Sequence, residues 1–300
     1  MPDVRVGDLT LCYESRGRDD HPAIVLVMGL AMQLIVWPDE FCDALVANGF
    51  RVIRFDNRDA GLSTHLESAG SPYMALHYLK YFLRRHVDAP YTIGDMAADT
   101  AGLIDALGLK RAHIVGASMG GMIAQNVAAQ FPERIASLVS MMSTTGKRRL
   151  PSPRWSALMA LAQPQAVKGD FDGAVKRMMS VLRAIESRSY PADAARLRAL
   201  CETHVRRSYD PPGGGRQLLA IAASGDRTGI VQRIRVPTHV IHGDQDPLLH
   251  PEAGFDTAKT IVDAGGDATL SIIDGMGHDL PAPLLPRIVD EIVSHCRRAS

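Results

Sequence analysis

The 300-residue chain is short of cysteine, of net charge and of long apolar runs, and each shortage closes off a class of function. Its four cysteines, Cys12, Cys42, Cys201 and Cys296, lie far apart and form no C-x-x-C pair, which argues against a zinc site and against a dense disulfide framework. The eleven histidines are likewise scattered without metal-ligand spacing. Lys plus Arg and Asp plus Glu both number 33, so formal net charge is zero and nucleic acid is not expected as a bulk electrostatic partner. The longest apolar stretch, Ala23 to Met32, is too short to span a bilayer, and no basic region followed by an apolar one opens the chain. No internal repeat or low-complexity tract is present. These absences lead to the expectation of a soluble, globular, cytoplasmic protein with a small-molecule partner.

The 46% hydrophobic content is enough to bury a large core. Along the chain, strand and helix patterns alternate. Val4 to Glu14 reads as a hairpin turning at Gly7-Asp8. Ala23 to Val27 is a β-branched run suited to a strand buried on both faces, and Arg51 to Phe55, His113 to Gly116, Ile135 to Met142, Thr238 to His242 and Thr269 to Ile273 follow as further strands. A helix is expected from Trp37-Pro38-Asp39-Glu40 to about Ala47, with Pro38 at the first helical position and Gly49 closing it. Thr92-Ile93-Gly94-Asp95 resembles a capping box, and Met96, Leu103, Ile104 and Leu107 form the apolar face of the helix that it opens. Further helices are expected after Met119, after Pro251 and from Leu284 to Cys296. The aromatic, basic stretch from Tyr73 to Tyr91 has no clean period and reads as surface loop or short helix.

From about Thr145 to Ile230 the alternation stops, and several helices are expected, broken by Pro151, Pro153, Pro164, Pro191, Pro211-Pro212 and Gly213-Gly214-Gly215. The implied architecture is α/β: an open, mostly parallel sheet flanked by helices, with residues 1–144 and 231–300 as the core and residues 145–230 as an inserted helical cap or lid. Charge divides at the same boundary. Residues 145–230 carry 15 Lys or Arg against 7 Asp or Glu, a net of +8, and the remainder carries 18 against 26, a net of −8. Two readings stay open: a basic helical surface seated on an acidic body, or a basic entrance for anionic substrates.

The chemistry is concentrated at Gly116-Ala117-Ser118-Met119-Gly120. This is the G-x-S-x-G pattern, a strand-to-helix turn so tight that only glycines fit on either side, which lifts the serine hydroxyl above the sheet edge. A serine needs a base to take its proton and a third group to orient that base. Open α/β sheets place such groups on loops after strands, and two later loops qualify. Asp246 lies in His242-Gly243-Asp244-Gln245-Asp246-Pro247, and His278 lies in Asp274-Gly275-Met276-Gly277-His278-Asp279. The order Ser118, Asp246, His278 is the one expected on this type of fold. Asp244 is the alternative acid, better suited to capping its turn, and Asp279 adjoins His278 but is expected to face away from its ring. His239 and His242 fall within a strand and read as structural. Two backbone N–H donors are needed where the oxyanion forms: Met119 supplies one, and Leu30, following Gly29 in the loop after the early strand, supplies the other. Gly29, Leu30, Met119 and cap residues near Trp155 are expected to touch substrate. The methionines Met28, Met32, Met119, Met122, Met159, Met178 and Met179 would make an adaptable apolar site if several line the cleft, but most are expected in the core.

With these residues in place, the chain resembles the α/β-hydrolase superfamily with a helical cap over nearly its full length. Gly116 to Gly120 resembles that family's nucleophile elbow, Gly243-Asp244-Gln245-Asp246 its G-x-x-D acid loop and Gly277-His278 its G-H. Asp56-Asn57-Arg58-Asp59-Ala60-Gly61-Leu62-Ser63 is similar to its D-x-R-G-x-G-x-S loop, with Asp59 in place of the usual glycine. Val27-Met28-Gly29 with Trp37-Pro38-Asp39-Glu40-Phe41 looks most like the aclacinomycin methylesterase and carboxylesterase branch, although the family often has His-Gly where this chain has Met28-Gly29. The resemblance implies a serine hydrolase that cleaves carboxylic esters of small, largely apolar substrates through an acyl-enzyme, with Ser118 as nucleophile, His278 as base and Asp246 as orienting acid. It requires no metal or organic cofactor. A lactonase, a carbon–carbon bond hydrolase or a cofactor-free perhydrolase would use the same three residues. A non-catalytic small-ligand receptor is the alternative of another class. Serine at the elbow argues against dehalogenase and epoxide hydrolase chemistry, which use aspartate there.

Overall fold

A computed structural model of the chain describes residues 1–70, 85, 87–167 and 169–299. The stretch from Tyr73 to Tyr91 therefore lies largely outside the described residues. The Gly7-Asp8 turn joins β1 (Asp3–Val6) to β2 (Leu9–Arg16) in an antiparallel hairpin. The unbroken apolar run forms β3 (Ala23–Val27), buried at every position. Helix α1 (Asp39–Ala47) begins one residue later than expected. Pro38 has an extended ψ of 140° and stands outside the helix as its N-cap, where its carbonyl accepts from Phe41 N and Cys42 N at 3.1 Å each. Gly49 then takes a positive φ of 91° and releases the chain into β4 (Arg51–Phe55). Helix α2 (Ile93–Ala106) opens on the full capping box, with Thr92 and Asp95 bonding reciprocally to each other's backbone.

Strand β5 (Ala112–Ala117) leads through Ser118 into α3 (Met119–Gln130), and β6 (Ile135–Met141) follows. The last elements are β7 (Thr238–Gly243), a helix over Glu252–Asp263, β8 (Ala268–Ile273) and a helix over Leu285–Arg298. Among the described residues the sheet has eight strands in the order β1-β2-β4-β3-β5-β6-β7-β8, parallel from β4 through β8. The chain builds outward from β3 to β4 and then crosses back to β5 on the other side of β3. That reversal makes the carboxyl ends of β3 and β5 a topological switch point, the place where open α/β sheets hold their ligands. Met96, Leu103 and Ile104 of α2 pack with Ile123 and Val127 of α3 on one face, while Trp37, Phe41 and Leu45 pack with Ile288 and Ile292 on the other.

Between β6 and β7 the described residues form five helices: α4 (Trp155–Leu161), α5 (Phe171–Ile185), α6 (Ala194–Arg207), α7 (Pro211–Ser224) and α8 (Thr228–Val231). The helices after β7 and β8 are α9 (Glu252–Asp263) and α10 (Leu285–Arg298). Helices α5 and α6 share a small core of their own, from Ala174, Val175, Met178, Leu197, Cys201 and Val205. One expectation is corrected here. Pro211 to Gly215 do not break the chain but form the first turn of α7. The prolines sit where a helix needs no N–H donor. A Cβ on Gly213 would meet the Asp59 carbonyl at 2.5 Å and one on Gly214 the Ala31 Cβ at 3.0 Å, so the glycines let α7 lie directly on the sheet's loops.

Four basic residues of the inserted segment pair with acids of the body. Arg207 pairs with Asp56 at 2.7 Å, Arg216 with Asp59 at 2.7 Å, Lys147 with Asp256 at 2.8 Å and Arg196 with Glu40 at 2.9 Å. The four cysteines form no disulfide, and all are buried. Among the described residues no helix is long and apolar enough to cross a membrane.

Candidate active site

Ser118 stands between β5 and α3 with φ 57° and ψ −120°, a left-handed backbone that costs a non-glycine residue about 1–3 kcal/mol and persists only where the surroundings impose it. They do so here. Ser118 N donates to Met141 O at 3.0 Å, and its own carbonyl accepts from the Ser143 hydroxyl at 2.8 Å and from Gly121 N at 2.9 Å. A Cβ on Gly116 would run into the Gly120 carbonyl, and one on Gly120 into the Val27 carbonyl. The small residues flanking the serine are thus required by close backbone approach. Met119 opens α3, so its N–H belongs to the group at a helix start with no carbonyl of its own helix to bond.

The two strand-end loops converge on that serine. His278 Nε2 lies 2.9 Å from Ser118 Oγ, and His278 Nδ1 lies 2.7 Å from Asp246 Oδ2. A carboxylate only accepts, so Nδ1 carries the ring proton and Nε2 is left to accept from the serine hydroxyl. Asp246 is fixed from its other side, where Oδ1 accepts from Leu248 N and Leu249 N at 2.8 Å each. Burial opposes ionisation of Asp246, but the imidazoles of His278 and His242 outweigh it and hold the carboxyl well below its usual range. Asp244, expected to cap its own turn, instead accepts from Gly275 N in the loop that carries His278, at 2.7 Å. Asp279 accepts from Ser187 N at 3.0 Å, while burial pushes its carboxyl up to about 6. His278 N donates to Ile185 O at 2.8 Å, so the end of α5 grips the histidine loop by its backbone.

The loop after β3 passes directly over the serine. A Cβ on Gly29 would sit 3.2 Å from the Ser118 Cβ and 3.7 Å from its Oγ, so Gly29 lies next to the hydroxyl. Several hydrogen bonds hold the loop. Asn57 Nδ2 donates to Met28 O at 2.9 Å, Ala31 N donates to Gln217 Oε1 at 2.7 Å, and Leu34 N donates to Asp56 Oδ1 at 2.7 Å. Asn57 and Gln217 carry no recognisable motif role, and only their position in the fold reveals what they hold. Met28, where related proteins often have histidine, packs into the core.

The other departure also has a structural reason. Asp59 occupies the usual glycine position with φ 63°, the backbone that favours glycine there. Its carboxylate receives the Arg216 guanidinium at 2.7 and 2.9 Å and the Tyr91 hydroxyl at 2.7 Å. Asp59, His65 and Asp210 bring possible metal-ligating atoms within 4.8 Å of one another. Arg216 already fills that cluster, reaching Asp210 Oδ2 at 3.3 Å besides its two bonds to Asp59. His242, expected to be structural, is buried and places Nε2 2.8 Å from Leu249 O and 3.3 Å from Asp246 Oδ2.

Of the methionines, Met28, Met119, Met122 and Met178 are buried and Met159 is exposed. Met32 packs between the body's core and that of α5 and α6. Trp155 stands at the start of α4, 74% exposed. Its neighbour Arg154 N donates to Pro247 O at 2.8 Å, one residue beyond Asp246.

The chain has counterparts among known proteins. The family model for the alpha/beta hydrolase fold matches residues 22–280. The chain is 27% identical to the rhodomycin D methylesterase DauP of Streptomyces sp. strain C5, an alignment covering 98% of this chain and 97% of that protein. It is 24% identical to 3-oxoadipate enol-lactonase 2 of Acinetobacter baylyi, covering 89% and 86%. Among solved structures, the enol-lactonase from Burkholderia xenovorans LB400 superimposes with a TM-score of 0.74 at 23% identity, covering 99% of this chain and 100% of that one.

Proposed function

We propose that this chain, which belongs to the alpha/beta hydrolase fold family, hydrolyses carboxylic esters of small, largely apolar molecules through an acyl-enzyme on Ser118. The observation that carries this reading is the continuous hydrogen-bonded chain from Ser118 Oγ through His278 to Asp246, at 2.9 and 2.7 Å. The geometry is that required of a nucleophile, a general base and the group that orients the base.

In the first step Ser118 Oγ bonds to the ester carbonyl carbon while its proton passes to His278 Nε2. Asp246 stabilises the resulting imidazolium. The negative charge moves to the carbonyl oxygen, where the N–H groups of Met119 and Leu30 and the start of α3 receive it. As the tetrahedral species collapses, the C–O bond to the alcohol breaks and His278 returns its proton to the leaving oxygen. Water then repeats the sequence: His278 takes its proton, hydroxide adds to the acyl carbon, and Ser118 leaves with the proton. Residues 145–230 act as the cap over this site, and their grip on the histidine loop and on the loop after β3 supports that role. Similarity to a methylesterase across 98% of the chain favours an ester, and similarity to an enol-lactonase keeps a lactone, a cyclic ester open to the same attack, within reach.

The test is turnover of short p-nitrophenyl esters by wild type and by Ser118→Ala, with far-ultraviolet circular dichroism as control for folding. Loss of turnover with an unchanged spectrum is expected. Wild-type turnover by the variant would remove Ser118 from the mechanism.

A further inference from the structure

Helix α4 is amphipathic in the reverse sense. Ala157 and Ala160, its two smallest side chains on one face, are 0% and 5% exposed where the helix packs on α5. Trp155, Leu158 and Met159, spaced i, i+3 and i+4 on the opposite face, are 74%, 37% and 52% exposed. A surface helix ordinarily turns its large apolar side chains inward, and a clustered exposed patch marks an interaction site. The surrounding charge is of one sign. From Lys147 to Gly169 the chain has Lys147, Arg148, Arg149, Arg154 and Lys168 and no aspartate or glutamate. Arg148, Arg149 and Arg154 are exposed, Lys147 is paired with Asp256, and the next acid, Asp170, caps α5.

We propose that this face of α4 seats the protein on an anionic lipid surface. Tryptophan, leucine and methionine enter the boundary between head groups and acyl chains, and the arginines beside them meet the anionic head groups. A second copy of the chain fits less well, because self-pairing would bring the same arginines against each other. The bond from Arg154 N to Pro247 O ties the seated helix to the loop that carries Asp246. Resting on the ester-hydrolase reading, the consequence for substrate is that esters dissolved in the lipid layer reach Ser118.

The sequence supplies its own reporter. The chain has two tryptophans, and Trp37 is fully buried, so a change in tryptophan emission on adding vesicles reports Trp155. Vesicles of phosphatidylglycerol mixed with phosphatidylcholine should shift emission to shorter wavelength and sediment the protein, and vesicles of phosphatidylcholine alone should do so at least tenfold more weakly. Leu158→Glu with Met159→Glu, and separately Arg149→Glu with Arg154→Glu, should each weaken anionic binding by roughly tenfold or more. Turnover of a water-soluble p-nitrophenyl ester should be unchanged in both, which also verifies folding. Ser118→Ala should bind vesicles as wild type does, so failure of the esterase reading and failure of lipid docking are separately visible. Absence of both shift and sedimentation would overturn the proposal. So would binding that survives both double substitutions, or a dimer in vesicle-free solution that Leu158→Glu disperses. Capture of an acidic protein through this face with no vesicle binding would equally overturn it.

Discussion

The side-chain amide of Gln217 joins two loops of the body, with Oε1 accepting the Ala31 N–H and Nε2 donating to the Arg58 carbonyl, both at 2.7 Å. Gln217 is fully buried, and Ala31 has a φ of 58°, a left-handed backbone that this bond helps to hold. The loop after β3, with the Leu30 N–H proposed to receive the oxyanion, is therefore set by a side chain 186 residues later.

Gln217→Met removes both bonds while keeping volume. Loss of a direct oxyanion donor costs about 10²–10³ in kcat, and a group acting only through loop position should cost less, roughly tenfold, with KM little changed. Steady-state kinetics on an ester and on its thionoester separate the roles. A positioning role alters the ratio of the two rates, and a purely structural one lowers both equally.

Asp246→Asn keeps the shape of the acid but offers His278 Nδ1 no carboxylate. By the behaviour of such triads kcat should fall about 10⁴-fold. Stopped-flow or prolonged end-point assays on p-nitrophenyl esters measure it. A loss below tenfold would transfer the orienting role elsewhere.

Asp59→Gly restores the residue usual in related proteins and suits the φ of 63°, yet it should destabilise. It leaves the Arg216 guanidinium, 3% exposed, with only the longer carboxylate contact, to Asp210 at 3.3 Å, so the loss should approach the lower end of the about 3–5 kcal/mol that breaking a buried pair costs. Asp59→Gly with Arg216→Leu should recover much of the loss. Urea denaturation of the two single variants and the double variant tests this, and additive losses would contradict coupling.

Stability should fall between pH 6.5 and pH 4. Burial pushes His113, His204 and His295 down to about 4 from the ordinary 6.5, with nearby Arg111, Arg207 and His239 respectively adding to the effect. Over that window the unfolded chain binds more protons than the fold, so acidification favours unfolding. Asp279 works in the opposite direction. Its carboxyl, raised from 3.8 to about 6, stabilises fully below 3.8, and that contribution is lost as pH rises through 6. Each shift corresponds to roughly 3 kcal/mol, so three histidines outweigh one aspartate. Urea midpoints measured from pH 7 to pH 4.5 should decline, and the decline should be larger in Asp279→Asn. A flat profile would contradict neutral burial of the histidines.

Local chemistry made part of this molecule legible in sequence. The glycine positions flanking Ser118 admit no side chain, and the loops bearing Asp246 and His278 stand out because each directly follows a strand. The split of charge at residue 145 anticipated the pairing of Arg207 with Asp56 and of Arg216 with Asp59. What stayed hidden depends on contacts between distant segments. Asp59 was visible as a departure from a glycine pattern, but nothing near it announced Arg216, 157 residues away. Gly213 to Gly215 read as a break because glycine weakens an isolated helix, whereas packing of α7 on the Asp59 loop demands the missing side chains. Trp155 read as a pocket residue, since exposure of a large apolar side chain has no signature in a seven-residue helix.

The most direct measurement is labelling with a fluorophosphonate, followed by intact mass and peptide mapping. A single adduct on Ser118, formed in step with loss of ester turnover and absent in His278→Ala, is the predicted result. An adduct on any other residue, or turnover that survives complete modification, would contradict a Ser118 acyl-enzyme.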